Sequence, residues 1–450
     1  MTSEPVPADP LRVRVALMLI PATLLLATVE LAFRVLPEPP RDAFLERFVV
    51  PDPDLLWRLR PAARGPLATN ELGLRDAPYH AQADVKILLL GDSVAWGDGV
   101  DEITRTFPYL LERRLSARHP ERTFEVVNAG VPGYTTEQEA TYLERHGLAL
   151  GPTAIVVQFT LNDVISRPPW LTRWRGREAL REAYGFFVQH SRAFAAIARA
   201  MQQRAREQEA RQVRALVEPT WGPDVERAWQ RMLAQLDRIR SLAGASVIPV
   251  VLLAAPYRSQ LEDAGTQREP QDRLAEYARA HGLGYVDVLP ALAALPHEAA
   301  LRCFHNEGHF SLLGHDVVAD LLLDPVAAAL GLGGHAVRSD PARHLEDKSR
   351  AYALADAARA ATDAGDVPKA RALLVEAERL APDVGLLYQY DANVAYLAGD
   401  RAGATRALRR ALELEPDSAL LRTNLAAIVA REETARGGRR SQPSSRVMDQ

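Results

Sequence analysis

Four short stretches carry residue types that could perform acyl chemistry. The first is Gly91-Asp92-Ser93, which follows directly on the apolar run Val85–Leu90 (VKILLL). A serine between a buried strand and a helix start is exposed above the sheet, and its hydroxyl feels the positive end of the helix. Gly91 permits a sharp turn there, and Gly97 and Gly99 keep the following loop small. Taken alone, the tripeptide fits an ordinary N-cap serine equally well. The second stretch is Asn128-Ala-Gly-Val-Pro-Gly133-Tyr. Its Gly133 would let a backbone N–H face a nucleophile without side-chain obstruction, although an ordinary β-turn reads the same way. The third, Leu161-Asn162-Asp163, places an amide after a strand, as a strand-end Asn turn would. The fourth is Gly308-His309-Phe310-Ser311, with Gly314-His315 after it. It offers an imidazole at a helix start, where a lone histidine is more often structural.

These stretches need a scaffold that brings them to one edge. Apolar runs occur at Val85–Leu90, Phe124–Asn128, Ala154–Thr160, Val250–Ala254 and Tyr285–Val288, with amphipathic stretches between them. Strands alternating with helices predict a parallel sheet covered on both faces. Sites in such folds lie at the carboxyl ends of the strands. Thr136 and Glu139 have the spacing of a capping box for one helix. Pro223 occupies a favoured first position for another.

The rest of the 450 residues implies further domains. A hydrophobic content of 47% excludes wholesale disorder, and a formal net charge of -4 gives no global indication of nucleic acid. No zinc-ligand cluster is visible, and the lone Cys303 reads as a buried small hydrophobe. Val15–Val29 is uncharged, and a helical stretch extended over Leu11–Leu36 meets the ~20 residues of a membrane span. Glu30 and Arg34 then pair at i, i+4 on one face. Residues 1–36 are therefore expected to be a membrane anchor, with a cleaved signal peptide and a core helix as the rival readings. The arginines flanking the span do not decide its orientation. Residues 37–84 read as a lead-in segment. Residues 165–220 read as a helical insertion, in which the stretch Ile165–Glu218 has eleven arginines against five glutamates, with Trp170 and Trp174. That insertion is either a solvated helix pair or a basic cap facing anionic lipid or polymer. After a linker at 333–348, Gly365-Asp366, Ala370, Ala377 and Pro382 recur as Gly399-Asp400, Ala404, Ala411 and Pro416, each at an offset of 34. That is the period of the tetratricopeptide repeat. A repeat module is expected at 349–432, with a capping helix from Ala419. So short a module should dock on another domain or on a second chain. Residues 433–450 read as a disordered tail.

The four chemical stretches together resemble the SGNH (GDSL-like) hydrolase family over about Lys86–Leu330, matching at Ser93, Gly133, Asn162 and His309 in the family's order. Asn70-Glu-Leu-Gly-Leu-Arg75 and the Glu30…Arg34 pair resemble membrane-tethered bacterial members. The resemblance implies an α/β fold, a flavodoxin-like three-layer sandwich spanning 85–332. It also implies ester hydrolysis with Ser93 as nucleophile and His309 as base, and an oxyanion hole from the N–H groups of Ser93 and Gly133 and the amide of Asn162. No metal and no cofactor are expected. The implied setting is a bacterial inner membrane with the hydrolase domain in the periplasm. The substrate would be an envelope lipid or acylated polysaccharide, and a protein partner could bind the repeats. An O-acetyltransferase with the same Ser and His, and a degenerate hydrolase serving as a scaffold, stay open beside the esterase.

One position departs from the family. The usual Asp three residues before the histidine is Asn306, in His305-Asn306-Glu307-Gly308-His309. An amide can orient the imidazole but brings no charge, and Glu307 is the only acid within three residues before His309. Asn306→Asp is therefore expected to raise the His309 pKa. Turnover should rise by about one to four powers of ten, measured as kcat on an acyl ester. An unchanged rate together with damage from Glu307→Gln would make Glu307 the orienting acid.

Overall fold

The first four apolar runs form strands because each is buried on both faces, and the fifth is half-buried at the sheet edge. The computed structural model describes residues 10–35, 47–65, 67–164, 187, 190–262, 267–333 and 340–440. The chain divides into one unit of Met1–Arg58 with Ile165–Arg214 and a second of Leu59–Val164 with Ala215–Gln450. In the second unit, β1 (Val85–Gly91), β2 (Phe124–Gly130), β3 (Ala154–Phe159), β4 (Val250–Ala254) and β5 (Gly284–Asp287) form a sheet of order β2-β1-β3-β4-β5. Every neighbouring pair is parallel. Ile87, Leu89, Val126, Val156 and Leu253 face one layer, packed with Phe107, Leu111 and Leu115 of α3 (Phe107–Arg118) and Val317, Val318 and Leu322 of α8 (Leu312–Ala329). On the other face, Phe159 meets Trp229 of α6 (Pro223–Gly244) edge-on at 5.9 Å. Leu88, Leu90, Val127 and Val157 are also fully buried. This is the three-layer arrangement expected of a parallel sheet.

Three local expectations change. The second strand runs two residues further, to Gly130, because it stays level with β1 up to the Gly91–Gly130 pair. The fifth lies one residue earlier than Tyr285–Val288, because the Asp287 side chain caps the short α7 (Val288–Ala293) by accepting from Leu289 N. The Thr136/Glu139 capping box does not form. The N-cap of α4 (Thr136–Tyr142) is Thr135, without a side-chain cap bond, and Thr136 Oγ1 instead donates to Asp163 Oδ1 at 3.0 Å. Pro223 does open α6.

The first unit contains α1 (Pro10–Val35) and most of α5 (Arg192–Leu216). Arg34 Nε donates to Glu30 Oε1 at 3.0 Å, the expected pair. Glu30 also accepts from Ser191 Oγ and from the Arg192 and Ala193 N–H groups, so its carboxylate caps the start of α5. Among the described residues, no helix is long and apolar enough to cross a membrane. The side chains of residues 1–18, much of the expected span, lie outside the described set. So do Trp170 and Trp174 of the insertion.

The C-terminal helices form two hairpins with the same turn. α9 (Pro341–Asp363) joins α10 (Val367–Leu380) through Gly365 at φ +78°, and α11 (Gly385–Leu397) joins α12 (Arg401–Leu414) through Gly399 at φ +77°. Both values require glycine, and Asp366 and Asp400 each cap the following helix. α9 begins inside the expected 333–348 linker, because Asp340 caps it and Leu345 and Lys348 are buried. α13 (Ala419–Arg440) runs into the expected 433–450 tail. Residues 441–450 lie outside the described set.

These helices dock on the sheet domain through charge. Lys348 Nζ lies 2.5 Å from Asp316 Oδ1 and 2.8 Å from Asp320 Oδ2 of α8, and 3.2 Å from Asp383 Oδ2. Arg114 of α3 binds Asp316 and lies 3.3 Å from Asp320 Oδ1, and Tyr352 O–H donates to Asp316 Oδ2 at 3.0 Å. At the far end, Thr104 Oγ1 and Arg105 Nε donate to the buried Glu415, and Tyr109 O–H donates to Asp417. Burial opposes the charge on Asp316, but Lys348 and Arg114 hold its carboxyl below the usual range. Its stabilising share is thus full above ~4 and lost as pH falls through the lowered folded value. Lys348→Met leaves buried carboxylates undercompensated and should cost about 3–5 kcal/mol, read as a lower denaturation midpoint at pH 7. An unchanged midpoint would contradict the linchpin role of this lysine.

Candidate active site

The nucleophile turn is built by close packing across three strand ends. Ser93 opens α2 (Ser93–Trp96), whose N-cap is Asp92. A Cβ at Gly91 would lie 2.5 Å from Gln158 Oε1 and 2.7 Å from the Ala95 Cβ. Gly91 is thus required by space, and it is not among the glycines with positive φ. Gln158 of β3, fully buried, accepts from Asp92 N at 3.3 Å and Ala95 N at 3.2 Å. Its position in an apolar strand (AIVVQF) was the available signal for this residue. Asn128 of β2 donates from Nδ2 to Ala95 O at 2.9 Å, tying the same helix to the second strand.

The histidine comes from a closed loop before α8. Phe304 and Phe310 form an antiparallel bridge, and His305 N donates to His309 O at 2.8 Å. Inside this loop Asn306 Oδ1 accepts from Gly308 N and His309 N, each at 3.1 Å. Two backbone donors fix that atom as the amide oxygen. The His309 Nδ1, 2.8 Å from the same oxygen, is therefore a donor. Nε2 is then the acceptor, and it lies 2.8 Å from Ser93 Oγ. The structure thus brings Ser93, His309 and Asn306 into one hydrogen-bonded row. Glu307 is turned elsewhere: its Oε1 accepts from Ser259 N at 3.3 Å and its carbonyl from Arg258 N at 2.8 Å. A carboxylate that sequence reasoning missed lies nearby, with Asp98 Oδ2 3.4 Å from His309 Nδ1.

Gly133 and Asn162 sit after β2 and β3, the two neighbours of β1. Gly133 adopts φ +79°, which only glycine takes without strain. Asn162 Nδ2 donates one of its two protons to Asp92 Oδ2 at 2.7 Å. Asp92 also accepts from Val94 N and Thr160 Oγ1. One carboxylate therefore ties the Ser93 helix to the Asn162 turn. A cavity of about 470 Å³ lined by Pro249, Val250, Gly284 and Pro325 opens at the amino ends of β4 and β5, the sheet edge opposite Ser93, and takes no part in the site.

Behind the site, Arg75 is buried and donates to the carbonyls of Trp96, Gly97, Val100 and Asp101. Burial pulls its guanidinium down to about 10, opposed by Asp101, Asp98 and Glu102, so it stays charged at neutral pH. His315 accepts from Phe107 N, and burial, then Arg75 and His309, push it down to about 3, so it is neutral. Cys303 is buried, which pushes its thiol up to about 12.

Under the strand ends, Glu139 is buried with neither carboxylate oxygen hydrogen-bonded. Burial, then Asp163 and Asp92, raises its carboxyl well above the usual range, and burial with Asp92 raises that of Asp163. An unfolded carboxyl ionises near ~4. Stability is then full below that pH and falls as pH rises towards the folded value. Glu139→Gln keeps the neutral shape and removes its share of the decline. Its advantage in denaturation midpoint over wild type should be larger at pH 8 than at pH 5, and an equal offset would contradict a raised Glu139.

The profile of the GDSL-like Lipase/Acylhydrolase family matches residues 89–317. None of the curated proteins compared with the chain matches it. Among solved structures, a lipase/acylhydrolase from Enterococcus faecalis is 18% identical, with 56% of this chain and 100% of that chain covered and a TM-score of 0.35. LAE5, an alpha/beta hydrolase enzyme from the metagenome of Lake Arreo, is 21% identical over 56% of this chain and 98% of that one, with a TM-score of 0.33. A mutant of Axe2, an acetyl-xylooligosaccharide esterase from Geobacillus stearmophilus, is 16% identical over 57% and 98%, also at 0.33. Identities and TM-scores this low carry no argument, and the assignment rests on the family profile. That profile spans half of the chain and takes in Ser93, Gly133, Asn162, Asn306 and His309, and the chain belongs to the GDSL-like lipase/acylhydrolase (SGNH) family as an ester-bond hydrolase.

Proposed function

We propose that this chain is a serine esterase working through an acyl-serine intermediate on an envelope lipid or an acylated polysaccharide. The observation that carries the site is the Ser93 Oγ to His309 Nε2 contact at 2.8 Å, with Nδ1 held by Asn306 on the far side. Ser93 Oγ attacks the ester carbonyl carbon while its proton passes to Nε2. The carbonyl oxygen becomes an oxyanion bound by the Ser93 N–H, the Gly133 N–H and the second Asn162 N–H. The C–O bond to the alcohol breaks, and Nε2 returns the proton to that oxygen. Water then attacks acyl-Ser93, gives a proton to Nε2, and the acid leaves as Ser93 recovers it. Asn306 fixes the tautomer at each step without adding charge.

A sugar hydroxyl in place of water in the second half would make the same site an O-acetyltransferase. The envelope setting is supported by α1, where Leu24, Leu25, Leu26 and Leu31 are exposed, as residues of a bilayer anchor would be. It fits a single-pass inner-membrane protein with the hydrolase domain in the periplasm. The recurrence of one turn at an offset of 34 supports reading α9–α12 as two tetratricopeptide repeats, a surface for a protein partner.

A fluorophosphonate should label wild type at Ser93 and leave Ser93→Ala unlabelled. Ser93→Ala should lose ester hydrolysis by about four to six powers of ten, with an unchanged denaturation midpoint. Acyl esters of rising chain length, with and without a sugar acceptor, separate lipid, acetyl-ester and transferase readings. A Ser93→Ala protein with the wild-type rate would sink the assignment.

A further inference from the structure

Each proton transfer through His309 creates an imidazolium, and Asn306 offers it no counter-charge. A charge does face it from another part of the chain. The Asp98 carboxylate lies 3.4 Å from His309 Nδ1, on the side of the ring away from Ser93. At that distance it is no strong hydrogen bond. The Nδ1 proton belongs to Asn306 at 2.8 Å, and Asp98 acts through its charge.

The position of Asp98 is set from both sides. Its backbone N–H donates to Ser93 O at 3.0 Å, so carboxylate and nucleophile share one turn. Gly97 and Gly99 flank it, both at φ +83°. A Cβ on Gly99 would come within 2.5 Å of the His305 ring, which lets the loop lie directly on the histidine loop. Arg75 grips the carbonyls of Trp96 and Gly97 before Asp98, and of Val100 and Asp101 after it. The other charged or titratable groups around His309 do not fill this role. Glu307 is held by Ser259 N, His315 is neutral, His305 packs on Gly99, Asp92 is committed to Asn162, and Arg75 carries the wrong sign.

We propose that Asp98 is the electrostatic positioning residue of His309. The acid that the family pattern places three residues before the histidine is divided in this chain between two side chains. Asn306 provides the oriented acceptor, and Asp98, delivered by the nucleophile's own loop, provides the charge. The inference rests on the Ser93/His309 reading above.

The test uses the full-length protein and two independent readouts. The first is the ring titration of His309 followed by NMR, with its signal identified by its loss in His309→Gln. The second is kcat/KM against pH, with the rate of fluorophosphonate labelling beside it. In Asp98→Asn the His309 midpoint and the acid limb of the profile should both move down by about one pH unit. Turnover should fall about tenfold, well short of the ~10⁴ seen for a fully buried partner, because the Asp98 side chain is 47% exposed. Asp101→Asn removes the same charge from the same loop and should leave the midpoint in place. Asn306→Asp should restore most of the loss in the Asp98→Asn background and, because Asp98 already supplies a charge, gain less than about tenfold in wild type, in place of the one to four powers of ten expected from the sequence alone. An Asp98→Asn protein with the wild-type midpoint and rate overturns the proposal while leaving the esterase reading intact. If Asp98→Asn does not fold, a gain near ~10⁴ from Asn306→Asp in wild type overturns it instead. A wild-type chain that neither labels at Ser93 nor cleaves esters overturns both readings.

Discussion

A single buried guanidinium organises the sheet edge that carries Ser93. Arg75 has almost no exposure, lies 4.6 Å from the centre of the Trp96 ring, and directs Nη1 and Nη2 at four backbone carbonyls of the segment after Ser93, with its Nε left without a partner. A buried charge is tolerated only when it is hydrogen-bonded and compensated. The carbonyls provide the first, and Asp98, Asp101 and Glu102 provide the second. The loop cannot relax without leaving the cation unsatisfied, so Ser93, Asp98 and the contact with His305 are held together.

A second set of buried charges does the same on the histidine side. The His309 loop leads straight into α8, which carries Asp316 and Asp320 to Arg114 of α3 and Lys348 of α9. The C-terminal hairpin helices are thereby bound to the helix that follows the His309 loop. Alanine packing inside the hairpins, as at Ala370, Ala377, Ala404 and Ala411, buries little area per residue. The ionic network and Leu345, which joins the main core, therefore supply much of what fixes them to the domain.

The polar network beneath Ser93 links the three strand ends in turn. Gln158 holds the nucleophile turn, Asp92 joins it to Asn162, and Asn128 joins it to β2. Glu139, whose carboxylate oxygens lack hydrogen-bond partners, is held well above the usual carboxylate range by burial below the site.

Local pattern was enough for the strands, for Pro223 opening a helix, for the 34-residue recurrence and for the order of Ser93, Gly133, Asn162 and His309. Each of these is written in residue types a few positions apart, where periodicity and turn chemistry act. The Thr136/Glu139 spacing misled, because Thr136 found a tertiary partner in Asp163, and a cap is decided by whichever acceptor is nearest in space. The hairpin module's true start at Pro341 depended on Lys348 being buried against α8, which no local pattern reports. Sequence alone indicated that Ser93 and His309 would lie at the edge of a parallel sheet, and that the family's usual acid was missing three residues before the histidine. Only the tertiary structure decided what faces that histidine instead: Asp98 and His309 are separated by some two hundred residues, and electrostatic proximity is set by the folded path of the chain.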